Sequence, residues 1–275
     1  IFIARGENLR AIQQNGLQLF TQEGNYIAWP NIATDNPSAA GPFDLVLFCV
    51  KSYSLEQSAR ALKSNIGKNT IVIPLQNGVD SAERLRVELP EATILPGSVY
   101  IISHIEKPGV IHQEGGACKL LFGTDDQESA NRQTNILDLL LQAKIKAVLT
   151  AKISETLWTK YLMMCPLGSL TSATGLTYGP ILADPALKTK LRSMMEEVAR
   201  VAKACNIHLP VNAVDKTMEM VAGFNYNSKT SMQLDQEKGN QTEIDTLTAF
   251  LCRTGREYSV PTPLHDEIYS ILLKS

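Results

Sequence analysis

No excess of either charge marks this chain of 275 residues, whose formal net charge is −2. That leaves no electrostatic footprint for nucleic acid or an anionic membrane. No apolar run approaches the ~18 residues that a membrane span needs, and no signal-peptide pattern is present. The five cysteines, at 49, 118, 165, 205 and 252, form no CxxC pair and sit mostly in apolar runs. They read as reduced core thiols of a cytoplasmic protein rather than a disulfide framework. The four histidines, at 104, 112, 208 and 265, fall in no zinc-like spacing, so no metal site is expected. There is no internal repeat and no low-complexity tract. A GxGxxG dinucleotide loop is missing too. The one glycine pair, Gly115-Gly116, lies between two β segments and opens no helix. Residue 1 is an isoleucine inside a strand-like run, so the natural protein is expected to begin upstream of it.

What is present is ordinary for a globular protein: 44% hydrophobic and 20% charged residues. The length suits two domains. In the first half, strands and helices alternate. Strands are expected at 1–4, 44–50, 70–75 and 145–150, helices at 7–14, 54–64, 80–88 and 128–143, and a hairpin turns around Glu23-Gly24-Asn25. Short β segments are expected near 93–99, 109–113 and 119–123. The run 44–50 is continuously apolar, as in a strand buried on both faces. This alternation argues for a doubly wound, largely parallel α/β sheet. From Lys152 onward the pattern is helical, over roughly 153–175, 184–206, 211–222, 243–258 and 263–274. The domain boundary is placed near 150, giving domains 1–150 and 151–275. Thr242-Glu-Ile-Asp245 resembles a capping box, which would put Glu243 in a helix's first turn.

Ligands of doubly wound folds bind beyond the carboxyl ends of the strands, here toward a cleft beside the helical domain. Three such ends carry polar residues: Arg5-Gly6, Lys51-Ser52 and Gln76-Asn77-Gly78. Arg5 reads either as a solvated loop charge or as a partner for the 2′-phosphate of NADP. Lys51 and Asn77 are common residues after a strand, yet the set of three fits a phosphorylated cofactor. In the second half, Lys160 lies on a mostly apolar helix, with Met164 and Gly168 on the same face at i+4 and i+8. An ammonium there either snorkels to water or serves a site. Ser231 alone reads as a helix start, and Glu243 as a carboxylate beside a helix dipole.

Together these residues resemble the ketopantoate reductase (2-dehydropantoate 2-reductase) family, over essentially the whole chain. The resemblance rests on Phe2-Ile-Ala-Arg-Gly6, residues 44–50 with Lys51, Gln76-Asn-Gly78, Gly109-Val-Ile-His112, Leu157-Trp-Thr-Lys160, Ser231-Met-Gln233, Thr242-Glu-Ile-Asp245 and Val260-Pro-Thr-Pro263. It implies a Rossmann-type domain, with its first βα unit upstream of residue 1, followed by an all-α C-terminal domain. It implies NADPH-dependent reduction of a 2-keto acid, with 2-dehydropantoate going to pantoate for pantothenate synthesis. By position, Lys160 would donate the proton, Glu243 would bind the substrate hydroxyl and hold the lysine, and Ser231 would contact the substrate carboxylate. Asn77 would lie near nicotinamide and substrate, and Arg5 and Lys51 would contact the cofactor. The family allows a monomer or a homodimer through the helical domain.

The chain departs from the family at the substrate pocket. The best-known members carry asparagines four and eight residues after the lysine, where this chain has Met164 and Gly168. A further pocket asparagine aligns with Tyr178. Loss of those amides weakens selection for a hydroxyl-bearing substrate. A related hydroxyacid dehydrogenase acting on another branched or aromatic 2-keto acid is therefore a second reading. A non-catalytic metabolite-binding protein is a third, should the glycine loop be truly lacking.

Overall fold

The computed structural model describes residues 1–125 and 130–274. The chain forms two compact units: Ile1–Val50, Ser54–Gln76 and Ala82–Ala151 in the first, Lys51–Tyr53, Asn77–Ser81 and Lys152–Ser275 in the second. The second thus takes in two short segments that follow strands of the first half.

The first unit is an α/β assembly of β1 (Phe2–Ile3), α1 (Gly6–Asn15), β2 (Leu17–Thr21), β3 (Gly24–Ala28), β4 (Ala33–Thr34), β5 (Leu45–Phe48), α2 (Leu55–Leu62), β6 (Ile71–Pro74), α3 (Ser81–Glu88), β7 (Thr93–Ile94), β8 (Gly97–Lys107), β9 (Val110–Gly123), α4 (Ala130–Gln142) and β10 (Lys146–Thr150). β5, β6 and β7 are parallel neighbours in that order, and β1 pairs in parallel with β4. Strand β6 is buried at all four positions. Its alternating side chains feed two cores: Val72 meets Phe48, Leu55 and Leu85, while Ile71 and Ile73 meet Phe122 and Leu140. That is the two-faced burial a parallel strand requires.

Three expectations need correction. The run 44–50 is not buried on both faces, because Leu47 is exposed. Among the described residues, strand β5 pairs in parallel with β6. Of the three short β segments, the first spans β7, which pairs with β6, and the start of β8, and the other two are parts of β9, which forms a long antiparallel hairpin with β8. This hairpin builds a mixed five-stranded sheet in which β9 also pairs in parallel with β2 and β10. Gly116 lies within β9 at φ 86°, where an added Cβ would come within 2.9 Å of the Ile101 Cα. Gly116 therefore allows close strand approach at an irregular register, and the pair lies inside a strand and does not form a phosphate loop. The expected helix start at Glu128 lies outside the described residues.

The second unit is helical: α5 (Ile153–Thr174), α6 (Tyr178–Ala183), α7 (Pro185–Ala204), α8 (Ala213–Ala222), α9 (Ser231–Glu237), a π-helical segment Asp245–Ala249, α10 (Phe250–Glu257) and α11 (Pro263–Leu272). Helix α6 was not expected; α9 begins at Ser231, the residue read as a helix start, with Thr230 as its cap. Helix α5 ends where Gly175 takes the left-handed conformation and returns its N–H to the Thr171 carbonyl. Helix α7 starts at the Asp184 cap, whose Oδ1 accepts from Ala186 and Leu187 N–H groups at 2.8 and 3.0 Å, with Pro185 at its first position. Helix α5 packs against α7, α8, α9, α11 and the π segment. A helix so surrounded must be apolar nearly all round, which explains its run of buried residues from Cys165 to Ser172.

The capping-box expectation is also corrected. Thr242 caps nothing, and the helical stretch begins at Asp245 without a side-chain cap. Glu243 precedes it, and the Glu243 carbonyl accepts from Thr246 and Leu247 N–H groups at 3.2 and 3.0 Å. Its carboxylate is thereby free to point elsewhere. The widened π turn is tied to α5 by Tyr161 Oη donating to the Leu247 carbonyl at 2.6 Å, and by the Ser169 and Thr248 hydroxyls at 2.7 Å. Such turns are frequent at functional sites. Tyr161→Phe is expected to cost about 1 kcal/mol, read as a lower urea midpoint with an unchanged m-value.

Candidate functional site

Lys160, two turns into α5, is half-buried, and its Nζ donates to Asn77 Oδ1 at 3.0 Å. The other end of that amide, Asn77 Nδ2, donates to Glu243 Oε2 at 3.4 Å. Only this orientation of the amide gives the ammonium an acceptor and the carboxylate a donor. The second oxygen, Glu243 Oε1, accepts the Ser52 backbone N–H at 3.3 Å. An ammonium, an amide and a carboxylate thus form a relay inside the second unit. Gly78 makes the approach possible: at φ 100° an added Cβ would sit 2.4 Å from Thr246 Cγ2.

Burial pushes the Lys160 ammonium down from its ordinary value to about 8, and the Glu243 charge partly offsets that. A lysine poised there can release a proton near neutral pH and recover it. Glu243 is buried, with 6% of its surface exposed, and its hydrogen bonds satisfy a charge that would otherwise be costly.

Lys51 stands beside Ser52 and pairs with Asp235 of α9, Nζ to Oδ2 at 2.7 Å. Burial acts to lower the Lys51 pKa; the Asp235 hydrogen bond and the Glu243 charge outweigh it, so the net shift is upward. Ser231 is exposed at the first position of α9, and Thr230 provides the cap, accepting from Gln233 N–H at 3.2 Å. The Thr230 hydroxyl meets the Thr171 hydroxyl at 2.8 Å, which fixes α9 on α5.

Met164 is half-buried one turn after Lys160. Gly168 is fully enclosed: an added Cβ would make ordinary contacts at 3.7 Å with Leu247 and 4.0 Å with Met232. Tyr178 opens α6 with its ring 5.6 Å from that of Phe224. Burial raises its phenol to about 12, so it stays neutral.

In the first unit, Arg5 is exposed at the carboxyl end of β1, and its guanidinium has no ion pair among the described residues. Gly6 follows at φ 57° with open space around it. Gln76, after β6, donates from Nε2 to the Phe48 and Val50 carbonyls, both at 2.9 Å. Its buried Oε1 has no partner among the described residues.

Asn77, Lys160 and Glu243 are therefore brought together, with Lys51 adjoining through Ser52. Ser231, Met164, Gly168 and Tyr178 are placed on α9, α5 and α6, with no hydrogen bond to that relay among the described contacts. Asp235 and Gln76 were missed as site residues. The signal for Asp235 was its place four residues after Ser231, on one helical face. Gln76 stood in the Gln76-Asn-Gly78 stretch. Among the described residues no His, Cys, Asp or Glu cluster could hold a metal ion, and no helix is long and apolar enough to cross a membrane.

Comparison with known proteins gives two matching family descriptions. They are Ketopantoate reductase PanE/ApbA over residues 1–127 and Ketopantoate reductase PanE/ApbA C terminal over residues 152–274. An uncharacterized oxidoreductase, YkpB of Bacillus subtilis, is 25% identical over 98% of this chain and 89% of its own. A 2-dehydropantoate 2-reductase of Mesorhizobium japonicum is 28% identical over 98% and 88%. The crystal structure of a PanE/ApbA family ketopantoate reductase from Ralstonia eutropha JMP134 superposes with a TM-score of 0.89 at 28% identity, covering 99% of this chain and 88% of that one. With both family descriptions matched across the two halves, the chain belongs to the ketopantoate reductase family of NAD(P)H-dependent oxidoreductases.

Proposed function

We propose that this protein reduces a 2-keto acid to the 2-hydroxy acid with NADPH, ketopantoate going to pantoate, and that Lys160 donates the proton. The observation that carries the proposal is the relay of Lys160, Asn77 and Glu243, with the ammonium brought to about 8.

The residues fit a nicotinamide nucleotide: the Gln76 acceptor and the Arg5 guanidinium, both without a partner among the described residues, suit a hydroxyl or amide donor and a phosphate. That arginine supports NADPH over NADH. Lys51 would add a second cation. When bound, the cofactor supplies a hydride to the substrate's carbonyl carbon. The negative charge that builds on the carbonyl oxygen is met by the Lys160 ammonium, which then passes its proton to that oxygen. Glu243 keeps the ammonium charged, and Asn77 aims it. In the product complex Glu243 would accept from the new hydroxyl. Ser231, at the start of α9, would donate to the substrate carboxylate.

The test is oxidation of NADPH with a panel of 2-keto acids. Ketopantoate is expected to show the highest kcat/KM, with NADH a poorer donor. No turnover of any 2-keto acid would end the proposal. Met164, Gly168 and Tyr178 favour one second reading, a paralogue acting on another branched or aromatic 2-keto acid, because none of them supplies the expected carboxamide. Met164→Asn is expected to raise kcat/KM for ketopantoate by about tenfold, the scale of one recovered hydrogen bond. An unchanged value, with an aromatic 2-keto acid preferred by the wild type, would select the second reading.

A further inference from the structure

We infer that Asp235 is a positioning residue of the site: it holds the Lys51 ammonium on α9 and so leaves the Glu243 carboxylate to serve Lys160. The inference rests on the proposed role of Lys160 as proton donor.

The geometry is one of two lysines and two carboxylates. Lys51 is the immediate neighbour of Ser52, whose N–H is bound to Glu243 Oε1. Through Asn77 and the Ser52 N–H, Glu243 is tied to the segments that neighbour both lysines, and its charge acts on both ammonium groups. A lysine stem with rotatable bonds takes whichever carboxylate is offered. Asp235 offers Oδ2 at 2.7 Å. Asp235 is itself held in place. Its Oδ1 accepts from Asn240 Nδ2 at 3.4 Å, and its carbonyl accepts the Asn240 N–H at 2.9 Å, across a turn that Gly239 permits at φ 66°. Helix α9 is fixed in turn by the Thr230–Thr171 hydroxyl contact and by Gln233 Nε2 donating to the Gly175 carbonyl at 3.1 Å. Both those partners belong to the end of α5, the helix that carries Lys160. The ion pair is partly exposed, 43% for Lys51 and 19% for Asp235, so it adds little to stability. Its effect is on where the charge of Lys51 resides.

Glu243 acts on Lys160; Asp235, Glu243 and Tyr53 act on Lys51; and Asp80, in the segment of Asn77, acts on the neighbouring Tyr161. Removing the Asp235 charge leaves Lys51 with Glu243 as its partner. The field that favours a protonated Lys160 is then partly cancelled, and the lysine loses its proton at lower pH.

The experiment uses Asp235→Asn, Asp235→Glu, Lys51→Ala and the double variant Lys51→Ala with Asp235→Asn. Lys160 is titrated directly in the resting protein by NMR of 13C-methylated lysines, its signal assigned by Lys160→Arg. The alkaline limb of kcat is followed in parallel. Asp235→Asn is expected to move the Lys160 midpoint acid-ward by about one pH unit, a tenfold change in the protonation equilibrium. Asp235→Glu should restore it, and on the Lys51→Ala background Asp235→Asn should move it little. An unmoved midpoint in Asp235→Asn overturns the inference, as does an equal shift with and without Lys51. A wild type that turns over no 2-keto acid refutes the proposed reaction instead, and the resting-state titration still decides the role of Asp235.

Discussion

Replacing Lys160 by alanine is expected to lower kcat by at least about 10²-fold, the scale of a general-acid contribution. The loss should fall on kcat more than on KM, because the ammonium is asked to meet charge that develops only in the transition state. The pH dependence carries the sign. A proton donor brought to about 8 is charged below that value and spent above it, so wild-type reduction should decline as pH rises through it. The alanine variant should lose that limb. Stability should move the other way. A partly buried ammonium with a depressed pKa is disfavoured in the folded state wherever it is charged, and that burden is relieved only as pH rises toward the unfolded lysine's value. Lys160→Met, close in length and apolar, should therefore raise Tm at neutral pH while removing activity. A less stable Lys160→Met protein would show the lysine to be structural.

Glu243→Gln is the second large effect, a fall in kcat on the order of 10²-fold above neutral pH. The amide keeps an acceptor for the Ser52 N–H, so the local backbone is retained. What is lost is the charge that offsets the burial of Lys160. Lys160 should then titrate well below its wild-type value, and the deficit should shrink as the assay is made more acidic. That recovery at low pH separates loss of the ammonium's counter-charge from loss of a direct contact with substrate, which would leave a deficit at every pH. A flat, pH-independent defect would assign Glu243 to substrate binding alone.

Much of this was legible locally. The alternation up to Thr150 gave the α/β unit, and the apolar run around Lys160, stopped at Gly175, gave α5. Short-range rules govern both, through burial periodicity and cap chemistry. What escaped depends on distant parts of the chain. Residues 101–107 form the exposed part of β8, where the hairpin register shifts at Tyr100/Ile102, Ile102/Ser103 and Ile105/Lys107. The π segment after Glu243 changes hydrogen-bond spacing over a single turn, too briefly to alter a hydrophobic pattern. It was this widened turn that moved Glu243 out of the expected helix. The pairing of Lys51 with Asp235 spans 184 positions, and neither residue carries a sign of the other. The Lys160–Asn77 contact, 83 positions apart, is equally non-local; the family resemblance put both residues at one site before the geometry gave their distance.

The most direct test of the central claim is the pH profile of kcat for reduction of ketopantoate by the wild-type protein, set beside the NMR titration of Lys160. The account predicts turnover that declines on the alkaline side at the midpoint of the Lys160 titration, near about 8. An active enzyme whose rate is level through that midpoint would contradict it, because the proton would then come from another group.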